Sequence, residues 1–174
     1  MKKILLPALI AAVYLAGLAA PAAGSAQMVT AHDPQRVRAL LDRWGYHPGE
    51  ITTNGETPSF LITIDGLSTG VGFGNCTNGR GCTYLVLVNT YTDVSNPPLE
   101  WLNALNRDYD NVTVLRDAEN LLTLRASIIL GAGGIPESLL REVLSEWVAA
   151  NNEIADRAVA ANLAAPAPVA APQT

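Results

Sequence analysis

The chain has 174 residues, with 11 Lys and Arg against 16 Asp and Glu and a formal net charge of −5 at pH 7. Non-specific nucleic-acid binding needs Lys and Arg to neutralise phosphates, and docking on anionic lipid needs a polybasic cluster. This composition argues against both.

The N-terminus reads as an address. Met1-Lys2-Lys3 is a short positive start, Ile4 to Ala20 is almost purely apolar, and "PAAGSAQ" follows with small residues at Gly24 and Ala26. That is the layout of a secretory signal peptide over residues 1–26, cleaved after Ala26. The competing reading is a membrane anchor. The apolar run is at the lower limit for a span, and no stop-transfer charge cluster follows it. Cleavage leaves one domain's length of chain and removes both lysines, so nine arginines face 16 acids at a net charge of −7.

The first helix is well marked: Asp33 caps it, Pro34 suits its first turn and Gly45 ends it. Val37, Leu40, Leu41 and Trp44 form one apolar stripe at i, i+3, i+4 and i+7. The turn-rich "TTNGETP" leads into "SFLITIDG", which alternates as a strand with Phe60, Ile62 and Ile64 on one side, and Asp65-Gly66 is the next turn.

The stretch "GNCTNGRGCTY" then holds the only two cysteines, Cys76 and Cys82. An exported protein sits among oxidants, so a disulfide is expected. A zinc site needs more ligands and a redox pair has a tighter spacing. If residues 67–76 and 82–91 form an antiparallel hairpin with Cys76 opposite Cys82, then Phe73 meets Leu85, Val71 meets Leu87 and Leu67 meets Tyr91 on one apolar face. On the other face Gly70, Gly72 and Gly74 oppose Val88, Val86 and Tyr84. A slip of one residue destroys both patterns. The glycines either make room for these cross-strand neighbours or let a partner approach closely, which makes Gly70, Gly72, Gly74, Tyr84, Val86 and Val88 the candidate partner-binding face.

Asn96-Pro97-Pro98 starts a second helix with an expected stripe of Leu99, Leu102, Leu105 and Tyr109. "NVTVLRD" and "LLTLRASIIL" alternate as two strands, the second with Leu122, Leu124, Ala126, Ile128 and Leu130 on its more apolar face. After "GAGG", Pro136 opens a long last helix with Leu139, Leu140, Val143, Leu144 and Trp147 at helical spacing, extended weakly by Ile154, Ala155 and Ala158. The order is helix, three strands, helix, two strands, helix: an α+β fold with a mostly antiparallel sheet and helices packed on one face. The domain spans residues 27–160. Residues 161–174 read as a disordered Ala/Pro-rich tail.

No catalytic constellation stands out. Gly131, Gly133 and Gly134 before the last helix form a candidate anion site, yet they lack the Lys-Ser/Thr of a phosphate loop and the spacing of a dinucleotide site. His32 and His47 lie in turn-like sequence away from any nucleophile pattern. Asp108/Asp110 and Asp117/Glu119 match no calcium loop. No metal, no cofactor and no catalytic residue is expected.

The segments "DPQRVRALLDRWGY", "FLITIDG", "GVGFGNCTNGRGCTYLVLVNTY", "LNALNRDY" and "LLTLRASIILGAGGIPESLLREVLSEW" together resemble the YbjN-domain family of bacterial sensory transduction regulators. The resemblance covers about residues 33–150. Its markers are Gly45-Tyr46, Asp65-Gly66, the two cysteines, Asn103 with Asn106, and Gly134. The family often has tryptophan before the second asparagine; Leu105 stands there, with Trp101 one turn earlier. The resemblance implies a fold similar to type III secretion chaperones, which bind segments of other proteins, and supplies no catalytic residues. The expectation is an exported, non-enzymatic, chaperone-like or regulatory module in the bacterial periplasm or secreted. Its partner is an unidentified protein there or at the membrane, without nucleic acid and without stable membrane insertion after cleavage. The alternative is a periplasmic small-ligand or anion sensor using the glycine-rich turn.

Overall fold

The computed structural model describes residues 27–164, so the stretch read as a signal peptide and most of the expected tail lie outside the described residues. The elements run β1 (Met28–Val29), α1 (Pro34–Arg43), β2 (Thr52–Asn54), β3 (Thr57–Ile64), β4 (Leu67–Gly74), β5 (Tyr84–Ser95), α2 (Leu99–Asp108), β6 (Thr113–Arg116), β7 (Leu121–Ile129), β8 (Ile135–Pro136) and α3 (Glu137–Ala160). This is the expected α+β order, with three short strands added. Six strands form an antiparallel sheet in the order β2-β3-β4-β5-β7-β6, and β1 pairs with β8 apart from it.

Local chemistry sets these boundaries. The Asp33 side chain accepts from the Gln35 N–H at 3.1 Å, Pro34 occupies the first turn, and Gly45 at φ 82° stops the helix. Asp65 and Gly66 both take positive φ, 50° and 82°, which a two-residue hairpin turn requires. The "TTNGETP" approach is itself a hairpin, with Thr52 opposite Ser59.

The register inferred from the cysteines holds: Phe73 faces Leu85, Val71 faces Leu87, and Gly70, Gly72 and Gly74 face Val88, Val86 and Tyr84. Two details differ. The strands end at Gly74 and Tyr84, short of the cysteines, because Asn75 turns to φ 52°. The β4–β5 ladder stops at Gly70 opposite Val88, short of the expected Leu67–Tyr91 pair. On the outer sides of these strands Leu67 pairs with Ile64 of β3 and Tyr91 with Leu122 of β7.

The three helices cover the face that carries Phe60, Ile62, Val71, Phe73, Leu85, Leu87, Leu122 and Leu124, all in one buried cluster. In α2, Leu102 and Leu105 are buried, whereas Leu99 is 59% exposed. In α3, Leu140, Leu144, Trp147, Ile154 and Ala158 are buried, whereas Leu139 is 42% exposed and Val143 half-buried. Adjacent positions sit about 100° apart around a helix, so Leu139 and Leu140 cannot share one narrow seam.

A polar contact seats α3, which is roughly 36 Å long at 1.5 Å per residue. Asn151 is fully buried in its middle. Its Oδ1 accepts from Asn89 Nδ2 at 2.8 Å, its Nδ2 donates to the Trp147 carbonyl at 2.8 Å, and Tyr91 donates its hydroxyl to the Asn151 carbonyl at 2.9 Å. One turn earlier, Trp147 Nε1 donates to Thr69 Oγ1 at 3.0 Å. Helix α3 is thus bonded to β4 and β5 at the sheet's centre.

These contacts set measurable expectations. Asn151→Leu keeps the branched shape but removes the partner of half-buried Asn89 and the side-chain acceptor of the Tyr91 hydroxyl, and urea unfolding should show a loss of about 2–3 kcal/mol. Burial pushes the Tyr91 phenol up to about 12, with Asp93 adding to the rise. The fold therefore favours the neutral phenol. The resulting stability is complete below the unfolded value near 10 and is lost as pH rises toward 12. Urea midpoints from pH 8 to 11.5 should fall, and Tyr91→Phe should flatten part of that fall. Cys76 and Cys82 are bonded to each other. Reducing them should cost about 2 kcal/mol of unfolding free energy, the closure entropy of so short a ring. An unchanged denaturation midpoint would show that the hairpin does not depend on the bridge.

Candidate functional site

Side chains alternate across the sheet, and among the described residues the helices pack on one face and leave the other open. The open face carries Leu61 on β3, the glycines of β4, Tyr84, Val86 and Val88 on β5, and Arg125, Ser127 and Ile129 on β7. Leu61 is 61% exposed and Ile129 78%.

The candidate partner-binding residues are therefore together, in two kinds of environment. At Gly74 the Tyr84 ring lies across the backbone where a Cβ would stand. That glycine makes room for its own neighbour. At Gly70 and Gly72 an added Cβ would meet Val88 and Val86 at ordinary contact distance, 3.5 Å or more. Nothing inside the sheet requires glycine there, and its effect is a flat floor. Val86 is hemmed in at 9% exposure, while Val88 and Tyr84 are half-buried.

The cysteines sit at one end of this face. Cys82 is completely buried, and the loop between the cysteines is folded by a bridge between Thr77 and Arg80. Gly81 donates its N–H to the His32 carbonyl at 2.8 Å, tying the disulfide loop to the approach to α1.

The glycine turn before α3 is committed to local structure. Gly131 and Gly134 hold positive φ, 60° and 75°, and a Cβ on Gly134 would collide with the Val29 carbonyl of β1. The Glu137 N–H at the start of α3 donates to the Gln27 carbonyl at 3.0 Å, and Glu137 itself places a carboxylate in the first turn. Gly133 has open space around it.

A second concave surface lies where β7 outruns β6. It is a cleft of about 970 Å³ between the end of β7, the connection from α2 to β6, and the outer side of α3. Its floor includes Val112, Ala126, Ile128 and Ala150, each only 8–9% exposed. Asp108, Asp110, Glu146 and Glu153 stand around it. Arg157 bonds both Asp108 and Glu153. Burial raises the phenol of Tyr109, at the same end, to about 12, and the Glu153 carboxylate adds to the rise.

Asn106 positions that cleft. Its amide clasps Val114 on β6, accepting from the N–H at 2.8 Å and donating to the carbonyl at 2.7 Å. Among the sequence candidates Asn106 was only a family marker. Its spacing of eight residues from Val114 gives no local signal, because the contact forms only when α2 folds back on β6. Asn103 is exposed.

The remaining candidates are dispersed. His32 and His47 are exposed and far from a nucleophile arrangement. Asp117 closes its own turn, accepting from the N–H groups of Glu119 and Leu121 and from the Thr123 hydroxyl. Among the described residues no group of three His, Cys, Asp or Glu side chains is placed to hold a metal, and no helix is long and apolar enough to cross a membrane.

No curated protein and no solved structure matches this chain. A family model does: YbjN, described as "Putative bacterial sensory transduction regulator", matches residues 33–158. That span runs from the Asp33 cap of α1 to Ala158, the last fully buried residue of α3, and takes in both surfaces. The chain belongs to the YbjN family.

Proposed function

We propose that this protein is an exported, non-enzymatic interaction module of regulatory type, working in the periplasm or outside the cell by holding a segment of another protein. One observation carries the proposal: among the described residues no layer covers the second face of the sheet, which bears exposed Leu61 and Ile129 beside a flat glycine floor. Apolar area of this kind, next to a concave cleft, is what protein recognition uses. The signal-like N-terminus and the disulfide fit an oxidising compartment. Membership of a regulator family agrees with a binding role.

The anion-sensor alternative has less support from the geometry. The Gln27 carbonyl takes the first N–H of α3, and the Glu137 carboxylate opposes a second negative charge there. An enzyme would be expected to gather convergent polar groups around a nucleophile or base. The titrating groups here are instead distributed along ion pairs and turns.

The test is a photocrosslinking scan in cells. A benzophenone side chain at Val88 or Leu61 should give a discrete protein adduct, and one at Arg36 on α1 should not. Adducts with the same pattern from all three sites, or from none, would remove the proposal. A thermal-shift screen against phosphates, nucleotides and carboxylates separates the alternative: one compound raising the melting temperature by several degrees would favour the sensor.

A further inference from the structure

We propose that the cleft between α3 and the end of β7 takes an extended, basic segment of a partner protein, which joins the sheet as a strand on β7 beyond β6. The proposal rests on the interaction-module reading and adds the chemistry of the partner.

The backbone supplies the first reason. Leu130 donates its N–H to Thr83 on the β5 side. Main-chain groups alternate along an antiparallel strand, so the even-numbered residues of β7 bond to β5 and the odd-numbered ones point toward β6. Strand β6 begins at Thr113, opposite Arg125. Ser127 and Ile129 lie past that point and present their N–H and C=O groups to the cleft. Among the described residues no turn or loop bond reaches them.

The other edges of the sheet offer a partner strand less. Strand β2 is three exposed polar residues, too short to template pairing. The outward groups of Val114 on β6 are both taken by Asn106. Among the described residues, the overhang of β7 combines free main-chain groups with an apolar floor. An added strand there would place alternate side chains against Val112, Ile128 and Ala150, under Val143 of α3.

Charge selects the occupant. Asp110 and Glu146 line the cleft and make no ion pair among the described residues, unlike Asp108 and Glu153, which share Arg157. The cation in the lining, Arg125, projects from the face of β7 opposite Ala126, away from α3. Long basic side chains can lay their methylenes on the floor and carry their charge to these carboxylates. A second copy of this chain, paired edge to edge, would bring the same acids together. The chain's own residues 165–174, "APAPVAAPQT", offer no cation, and three prolines remove ladder donors.

The probe is a nine-residue peptide alternating Lys and Val, titrated into the purified protein and followed by amide NMR shifts. Saturable shifts centred on Ser127, Ile129 and Ala150 are expected, with affinity falling as salt rises. The Glu/Val peptide of the same pattern should bind at least tenfold more weakly. So should a Lys/Val peptide N-methylated at alternate residues. Asp110→Lys with Glu146→Lys, both at exposed positions, should cost the Lys/Val peptide at least tenfold without lowering the melting temperature. Equal binding of both charge series, shifts confined to Val86 and Val88, or a sedimentation dimer abolished by those two substitutions would each overturn the proposal. Crosslinks from Val88 together with indifference to every peptide would keep the interaction module and reject this site.

Discussion

The seat of Asn151 on the sheet constrains the rest of the molecule. It is an amide with no exposure, sitting where a hydrophobic residue would otherwise continue the α3 seam. Its partners are two side chains of β5 and a carbonyl one turn back on its own helix. An apolar seam alone tolerates sliding or rotation, because one buried hydrocarbon contact replaces another. A buried amide does not, since turning α3 by a single residue would break the bonds from Asn89 to Asn151 Oδ1 and from Trp147 Nε1 to Thr69, at about 1–3 kcal/mol for each buried group left unpaired. The helix therefore has one rotation and one height above the sheet. The width of the cleft between α3 and β7 follows from that, as does the outward direction of Glu146.

The uneven sheet is the second consequence of specific polar contacts. Strand β6 has four residues against nine in β7. Its chain arrives from α2, and Asn106 clamps that helix to Val114, so the approach turns away through Asp110 and Asn111 instead of following β7 outward. The overhang is thus a product of topology and one bidentate amide. It opens onto the same side as Ile129, so the free edge and the uncovered face are continuous at that residue. A partner strand added at the edge would extend the open face.

How much of this was legible in the sequence depends on the range of the interaction. The hairpin register was visible because the two cysteines, the apolar pairs and the glycine stripe all sum to one alignment, and they are local. Both main helix starts were visible because Asp33-Pro34 and Pro136 are local chemistry. The short β1–β8 pair was not, because it joins residues more than a hundred positions apart. Asn151 lay within reach: it stands four residues after Trp147, on the seam that Ile154 and Ala158 continue, and a polar residue on a buried seam signals a partner. The cleft was out of reach. It exists because β6 stops early, and strand length is a tertiary outcome of where α2 docks.

An uncovered apolar face with a free strand edge normally invites self-association. Two features of this chain oppose that outcome without closing the surface. The face is thin in apolar bulk, because glycine occupies three alternate positions of β4, all on this face, and Tyr84 folds over Gly74. The edge is ringed by carboxylates, and the chain as a whole is acidic, so like copies repel most strongly where they would pair. Repulsion between identical acidic rims and attraction for a basic strand come from the same side chains. Specificity of this kind needs no pocket shaped to one residue: a backbone edge supplies affinity, and the sign of the charge around it decides which strands stay.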